Sequence, residues 1–270
     1  MDDKYVIDCT MSMHVLKNEF TKTYLAEQCE QLLDGLDRAI AATVECAPVR
    51  RNSGYFVERD GGTPRAESTE ALWERAMWAH FCDPLLSPAV PGAWYRLVTY
   101  QVPLRNTQDD DRWGSVDLLG VSHQGLPVVV ELKRPGAHEV TPVEMLVQAA
   151  AYALALRKAW TQGFGRQWYE LVSARYGFHS PPAIGAAPVV HLVGAAPAEY
   201  WQNWLGDSPK ARKVTVQDWS QVSALVTALG ERGLPATFVE IGHEGLTSGN
   251  SPQNLSCRVL DPFVARPPGG

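Results

Sequence analysis

A chain of 270 residues, 45% hydrophobic and 20% charged, has the balance of a folded protein, which excludes an intrinsically disordered chain. A formal net charge of -6 excludes a protein that coats nucleic acid by bulk charge, so contact with phosphate must come from a local basic patch, from metal ions or from a partner. Five widely spaced cysteines (Cys9, Cys29, Cys46, Cys82 and Cys257), without a CxxC pair, point to mostly reduced, packed thiols rather than a disulfide framework or a zinc site.

The start, "MDDKYVIDCT", carries acids where a secretory signal carries bases, and no run approaches the roughly 20 apolar residues of a membrane span. The expectation is a cytoplasmic protein without a membrane partner. Residues 12–47 read as a helix, with Leu25, Cys29, Leu32, Leu36 and Ile40 at three- and four-residue spacing. Such a helix suits a homodimer contact or a partner protein. A loop follows, with a short hairpin around Tyr55 to Val57, and then a second helix from Ser68 to Cys82. The aromatic and β-branched content of 93–104 predicts a strand. Asp109 to Asp111 lie in the next loop.

Residues 114–136, "GSVDLLGVSHQGLPVVVELKRPG", read as two strands joined at "SHQG". The nearly unbroken apolar run from Leu126 to Val130 predicts a central strand covered on both faces. Residues 141–160 predict a long helix, with Thr141 and Glu144 in a capping-box pattern and Pro142 at its first position. A strand at 187–196, a helix near 218–232 and two short strands, "ATFVEI" and "LSCRVL", complete the pattern, and the tail "ARPPGG" reads as disordered. The predicted fold class is α/β, with helices covering both faces of a small mixed sheet. The division is a helical N-terminal extension over 1–65, a core over 66–200, an α/β extension packed on it over 201–264, and the tail 265–270.

Two acids and a lysine make the end of the central strand costly to bury unless something neutralises them. Side chains alternate along a strand, so Glu131 and Lys133 share a face, and a hairpin turning near Ser122 to Gly125 sets Asp117 opposite Glu131. A divalent cation between the carboxylates relieves their repulsion. Oxygen ligands of this kind, with the Leu132 carbonyl as a further donor, suit Mg²⁺, with Mn²⁺ as a substitute. The ammonium of Lys133 could then hold an attacking water or offset charge developing on a phosphate.

Asp117, then Glu131-Leu132-Lys133 at the end of an apolar strand, resembles the PD-(D/E)xK nuclease superfamily. The predicted order of helix, three strands, helix and strand is similar to that family's restriction-endonuclease-like core. Gln148 and Tyr152, in "QAAAY", resemble the Gln-x-x-x-Tyr motif of the RecB-like branch. The resemblance covers roughly 66–196, and Val116 stands where family members often have proline. It implies a Mg²⁺-dependent phosphodiesterase acting on nucleic acid, DNA foremost, in restriction, repair or defence against mobile DNA. It also implies a glutamate from the first helix at the metal, Glu70 by its early place in that helix, with Glu74 one turn on as the other candidate.

Each residue also has a plainer role. Asp117 could cap a turn or pair with Arg112, Glu131 and Lys133 could be a salt-linked pair at a strand exit, and Gln148 a satisfied polar core residue. Glu70 could serve the helix macrodipole and Glu74 a surface ion pair. A non-catalytic nucleic-acid-binding or scaffold subunit that keeps the fold is the alternative function. Trp113, Trp201 and Trp204 are candidates to stack on a base, and Arg134, Arg157, Lys158, Arg166, Arg175, Lys210, Arg212 and Lys213 to track a phosphate backbone. His191 reads as a core or edge histidine, and His243 and Glu244 lie in a turn without a helical HExxH setting.

Overall fold

The computed structural model describes residues 12–13, 25–49, 55–56, 69–83, 89–104, 113–137, 139–178, 187–246 and 252–261. Most of the helix expected before Leu25, Cys9, Val57, Ser68, the Asp109 to Asp111 loop, Arg112 and the C-terminal tail lie outside them.

Six strands form one sheet in sequence order. They are β1 (Arg96–Pro103), β2 (Ser115–Val121), β3 (Pro127–Leu132), β4 (His191–Pro197), β5 (Ala236–Leu246) and β6 (Pro252–Leu260). The first three form an antiparallel meander, β3, β4 and β5 run parallel, and β6 returns antiparallel to β5. The mixed sheet and its helical cover agree with the expected α/β class. The two C-terminal strands are longer than their motifs suggested, and they continue this sheet.

Alternation along the strands separates two cores. On one face Leu119, Val129, Leu192 and Phe238 meet the helices α1 (Leu25–Cys46), α3 (Pro142–Ala159) and α6 (Val216–Glu231). On the other, Leu118, Val128, Val130, Leu132 and Val193 meet Trp73, Met77 and Phe81 of α2 (Thr69–Phe81). All six residues of β3 are buried, which accounts for its unbroken apolar run. Its crossover to β4 runs through α3, as a parallel pair requires.

Leu25, Cys29, Leu32 and Leu36 of α1 are buried, and α1 packs on α3 and α6. This apolar stripe is therefore covered within the chain. On the opposite face, α2 touches β1 and β2 at one edge and β6 at the other. A Cβ on Gly92, just before β1, would lie 3.6 Å from Val259 of β6. The sheet thus curls around α2, and His80 at the end of that helix bonds the backbone of Leu255.

Two helices were not foreseen. After α3 the backbone leaves helical geometry at Gln162 and Gly163 (φ 118), a kink within Trp160–Phe164, and the chain resumes as α4 (Gly165–Tyr176). Trp168 and Val172 bury its inner face. Directly after β4, α5 (Ala198–Leu205) buries Tyr200, Trp201 and Trp204, at the three- and four-residue spacing of one helix face. The capping box of α3 forms as expected: the Glu144 N–H donates to Thr141 Oγ1 at 3.0 Å, and the Thr141 N–H donates to the Glu144 carboxylate at 2.6 Å.

Cys29, Cys82 and Cys257 are free thiols, as expected, whereas Cys46 is disulfide-bonded. Among the described residues no helix is long and apolar enough to cross a membrane.

Candidate active site at the end of the central strands

The hairpin register pairs Leu119 with Val129 and Leu118 with Val130, so the next facing pair is Asp117 and Glu131. The expected opposition of the two acids follows from this register. Asp117 Oδ2 also accepts the N–H of Leu132 at 2.8 Å, across the strand ends. Beyond Leu132, the Lys133 N–H continues the ladder to the carbonyl of Ala195 on β4 at 2.9 Å. Lys133 is therefore fixed by the sheet rather than by a loop.

Glu131 is 1% and Lys133 8% exposed, and the Lys133 ammonium donates to Glu131 Oε1. Burial pulls the lysine's pKa down. The charges of Glu131 and Asp117 and the hydrogen bond to Glu131 outweigh it, so the group stays above its ordinary value and is an ammonium at neutral pH. Asp117 keeps partial solvent contact, yet burial of its carboxyl is the largest influence on it. Burial and the negative charges of Glu131 and Glu74 raise its pKa well above the usual carboxylate range, against the opposing pull of Lys133 and the Leu132 N–H.

The helices bring the remaining groups. Glu74 of α2 is 4% exposed and its charge bears on Asp117; Glu70, one turn earlier and half-buried, bears on Lys133 and Tyr152. Glu70 was the favoured acid of the pair, and both reach the cluster, with Glu74 the more deeply buried. The sequence signal was present, since Glu74, Met77 and Phe81 recur at the spacing of a buried face. From α3, Gln148 Nε2 donates to Tyr152 Oη at 3.0 Å. Tyr152 is 5% exposed, and burial followed by the charges of Glu131 and Asp117 raises its hydroxyl pKa, so it remains neutral.

The structure thus gathers Asp117, Glu131, Lys133, Glu70, Glu74, Gln148 and Tyr152 at one end of β2 and β3. The side chain of Leu132 points into the core around α2, while its backbone N–H contacts Asp117. Among the described residues no three His, Cys, Asp or Glu side chains stand together as a metal-binding group. The donor chemistry nevertheless fits a hard divalent cation: the side-chain acceptors are carboxylates, and four acids face one lysine. Asp117 and Glu131, with Glu74 or Glu70 and the Leu132 carbonyl, are the groups that would hold it.

Several other candidates have structural work. The Lys158 ammonium donates to the carbonyls of Glu45 and Ala47, both at 2.7 Å, and Arg157 donates to the carbonyl of Arg232 at 2.9 Å. Those two cations brace the end of α1 and the turn after α6. Arg134 is exposed beside Lys133, and Lys210 lies 3.9 Å over the Trp204 ring, where its charge reaches Glu144. Trp113, Trp201 and Trp204 are all buried, so none presents a face to a base. His191 is half-buried, and burial lowers its pKa. His243 Nε2 lies 3.4 Å from Glu199 Oε1, and its ring meets the edge of Trp73.

No protein-family model, no curated protein and no solved structure matches this chain. The chemistry of the cluster therefore rests on its own residues.

Proposed function

We propose that the chain is a metal-dependent nuclease of the PD-(D/E)xK type, hydrolysing phosphodiester bonds, in DNA foremost. Its restriction-endonuclease-like core would run from α2 through β4, in the order helix, three strands, helix, strand, with α4 added before the last strand. One observation carries the reading: at the end of a buried hairpin Asp117 accepts the N–H of Leu132, between Glu131 and Lys133, and the hairpin register continued by one residue sets it against Glu131. Buried acids in surplus over bases are costly unless they bind a cation.

Bound Mg²⁺ would supply a Lewis acid for in-line hydrolysis. Lys133, held as an ammonium by its two neighbouring acids, donates to the attacking water or to a phosphate oxygen. Tyr152, neutral and bonded to Gln148, presents a hydroxyl beside the same acids. Roles in restriction, repair or defence against mobile DNA are all compatible with such an activity.

Purified protein is expected to degrade or nick DNA with Mg²⁺ or Mn²⁺ and to stop with EDTA. Asp117→Asn and Lys133→Met are each expected to lose at least about 100-fold in rate while keeping the circular dichroism of the parent. Cleavage that survives EDTA, or that ignores both substitutions, defeats the reading. The Glu131–Lys133 contact, which closes the site on itself, favours a second reading: a nucleic-acid-binding or scaffold subunit that keeps the fold. DNA binding without Mn²⁺ binding in calorimetry selects it.

A further inference from the structure

The start of β1 carries a second concentration of charge, of opposite sign. Arg96 is 6% exposed and, among the described residues, forms no ion pair. Its guanidinium donates to the carbonyl of Tyr95, lies 4.3 Å over the Tyr95 ring, and leaves Nε buried without a hydrogen-bond partner. A cation–π contact is weaker than the cost of burying an ion. The ring alone therefore does not offset the charge.

A second arginine lies close by. Arg175, exposed at the end of α4, lies near enough for its charge to bear on the hydroxyl of Tyr176, as does the charge of Arg96. The hydroxyl's contacts to the carbonyls of Cys82 and Leu97 are long, 3.5 Å each. Asp83 lies in the same region, its charge felt at the Cys82 thiol together with that of Arg175.

We propose that Arg96, Arg175 and the Tyr176 hydroxyl form an anion-binding site that takes a phosphate group. Guanidinium groups match phosphate oxygens in paired hydrogen bonds, and a buried one is preorganised for this. The site is separate from the strand-end cluster. Arg96 faces Val121, four residues along β2 from Asp117, which places it roughly 13 Å away at about 3.3 Å per residue. The proposal stands whether or not the cluster cleaves nucleic acid.

The test is thermal unfolding and calorimetry of the full chain with inorganic phosphate, against chloride at equal ionic strength. Phosphate is expected to raise the melting temperature where chloride does not. Arg175→Gln, an exposed substitution that leaves the core intact, is expected to weaken phosphate binding about tenfold. Arg96→Gln is expected to abolish it. Competition by a short oligonucleotide lacking terminal phosphates identifies a phosphodiester as the source of the group. Displacement by a nucleoside monophosphate alone identifies a free phosphorylated molecule; either result supports the site. Equal effects of phosphate and chloride, or a phosphate effect unchanged in Arg175→Gln, overturn it.

Discussion

Two acid–base pairs in this sheet have similar chemistry and opposite surroundings. Glu131 and Lys133 close on each other at the buried end of the central strand. Glu240 and Arg258 face each other across the β5–β6 ladder, with the Arg258 side chain 71% exposed and its Nε 2.7 Å from Glu240 Oε1. In the outer pair the arginine stays hydrated while Glu240 is 18% exposed, and the contact needs no purpose beyond holding the ladder's edge. The inner pair loses most of its hydration, and apolar residues of the same volume would fill that space at equal or lower free energy. A buried pair that also has three further acids beside it is better explained by a task than by stability. The contrast shows why an ExK triplet is informative only when its strand is covered.

The largest effect expected from this contrast is at Lys133. Lys133→Ala leaves Glu131 buried beside Asp117 and is expected to cost about 3 to 5 kcal/mol in urea unfolding. The double substitution Glu131→Gln with Lys133→Met is expected to restore or exceed the parent's stability while remaining inactive. A loss below about 1 kcal/mol for Lys133→Ala would show the inner pair to be as hydrated as the outer one. Next comes Tyr152→Phe, which removes the acceptor of the Gln148 amide and is expected to cost about 0.5 to 1.5 kcal/mol by the same measurement. Arg258→Ala at the sheet edge should change stability by about 0.2 to 1 kcal/mol, and the difference should shrink as salt is added.

The smallest expected effect is a pH dependence at Asp37. Its hydrogen bond from Arg232 holds its pKa below the ordinary carboxylate value. A depressed folded-state pKa contributes stability that is fully present above the unfolded value, about 3.9, and is lost as pH falls through the folded one. Urea midpoints between about pH 2 and 5 should therefore drop slightly more steeply in the parent than in Asp37→Asn. Parallel curves would show that this surface bridge does not bear on folding.

Much of the site was legible because it lies in regular structure. A period of two along β2 and β3, a turn at "SHQG" and a capped α3 were enough to place Asp117 opposite Glu131 and Gln148 one turn from Tyr152. The place of α2 was not legible in the same way. Whether Glu70 or Glu74 faces the strands depends on how the helix is rotated, and that is set by Trp73, Met77 and Phe81 fitting against strands distant in sequence. The fate of α1 was hidden for the same reason: an apolar stripe looks alike whether it covers a partner or its own core. Arg96 carried no local sign at all, because burial of a strand residue near a sheet edge is decided by what folds over it.

The curl of the sheet around α2 has a consequence for the growing polypeptide. The helix bearing Glu70 and Glu74 rests on β1, made early, and on β6, made near the end. A ribosome-bound fragment that stops before residue 252 can form the hairpin and its lysine, but half of the cradle for the acidic helix does not yet exist. Full assembly of the negative cluster thus waits for the last strand, and an unfinished chain is denied whatever chemistry that cluster performs.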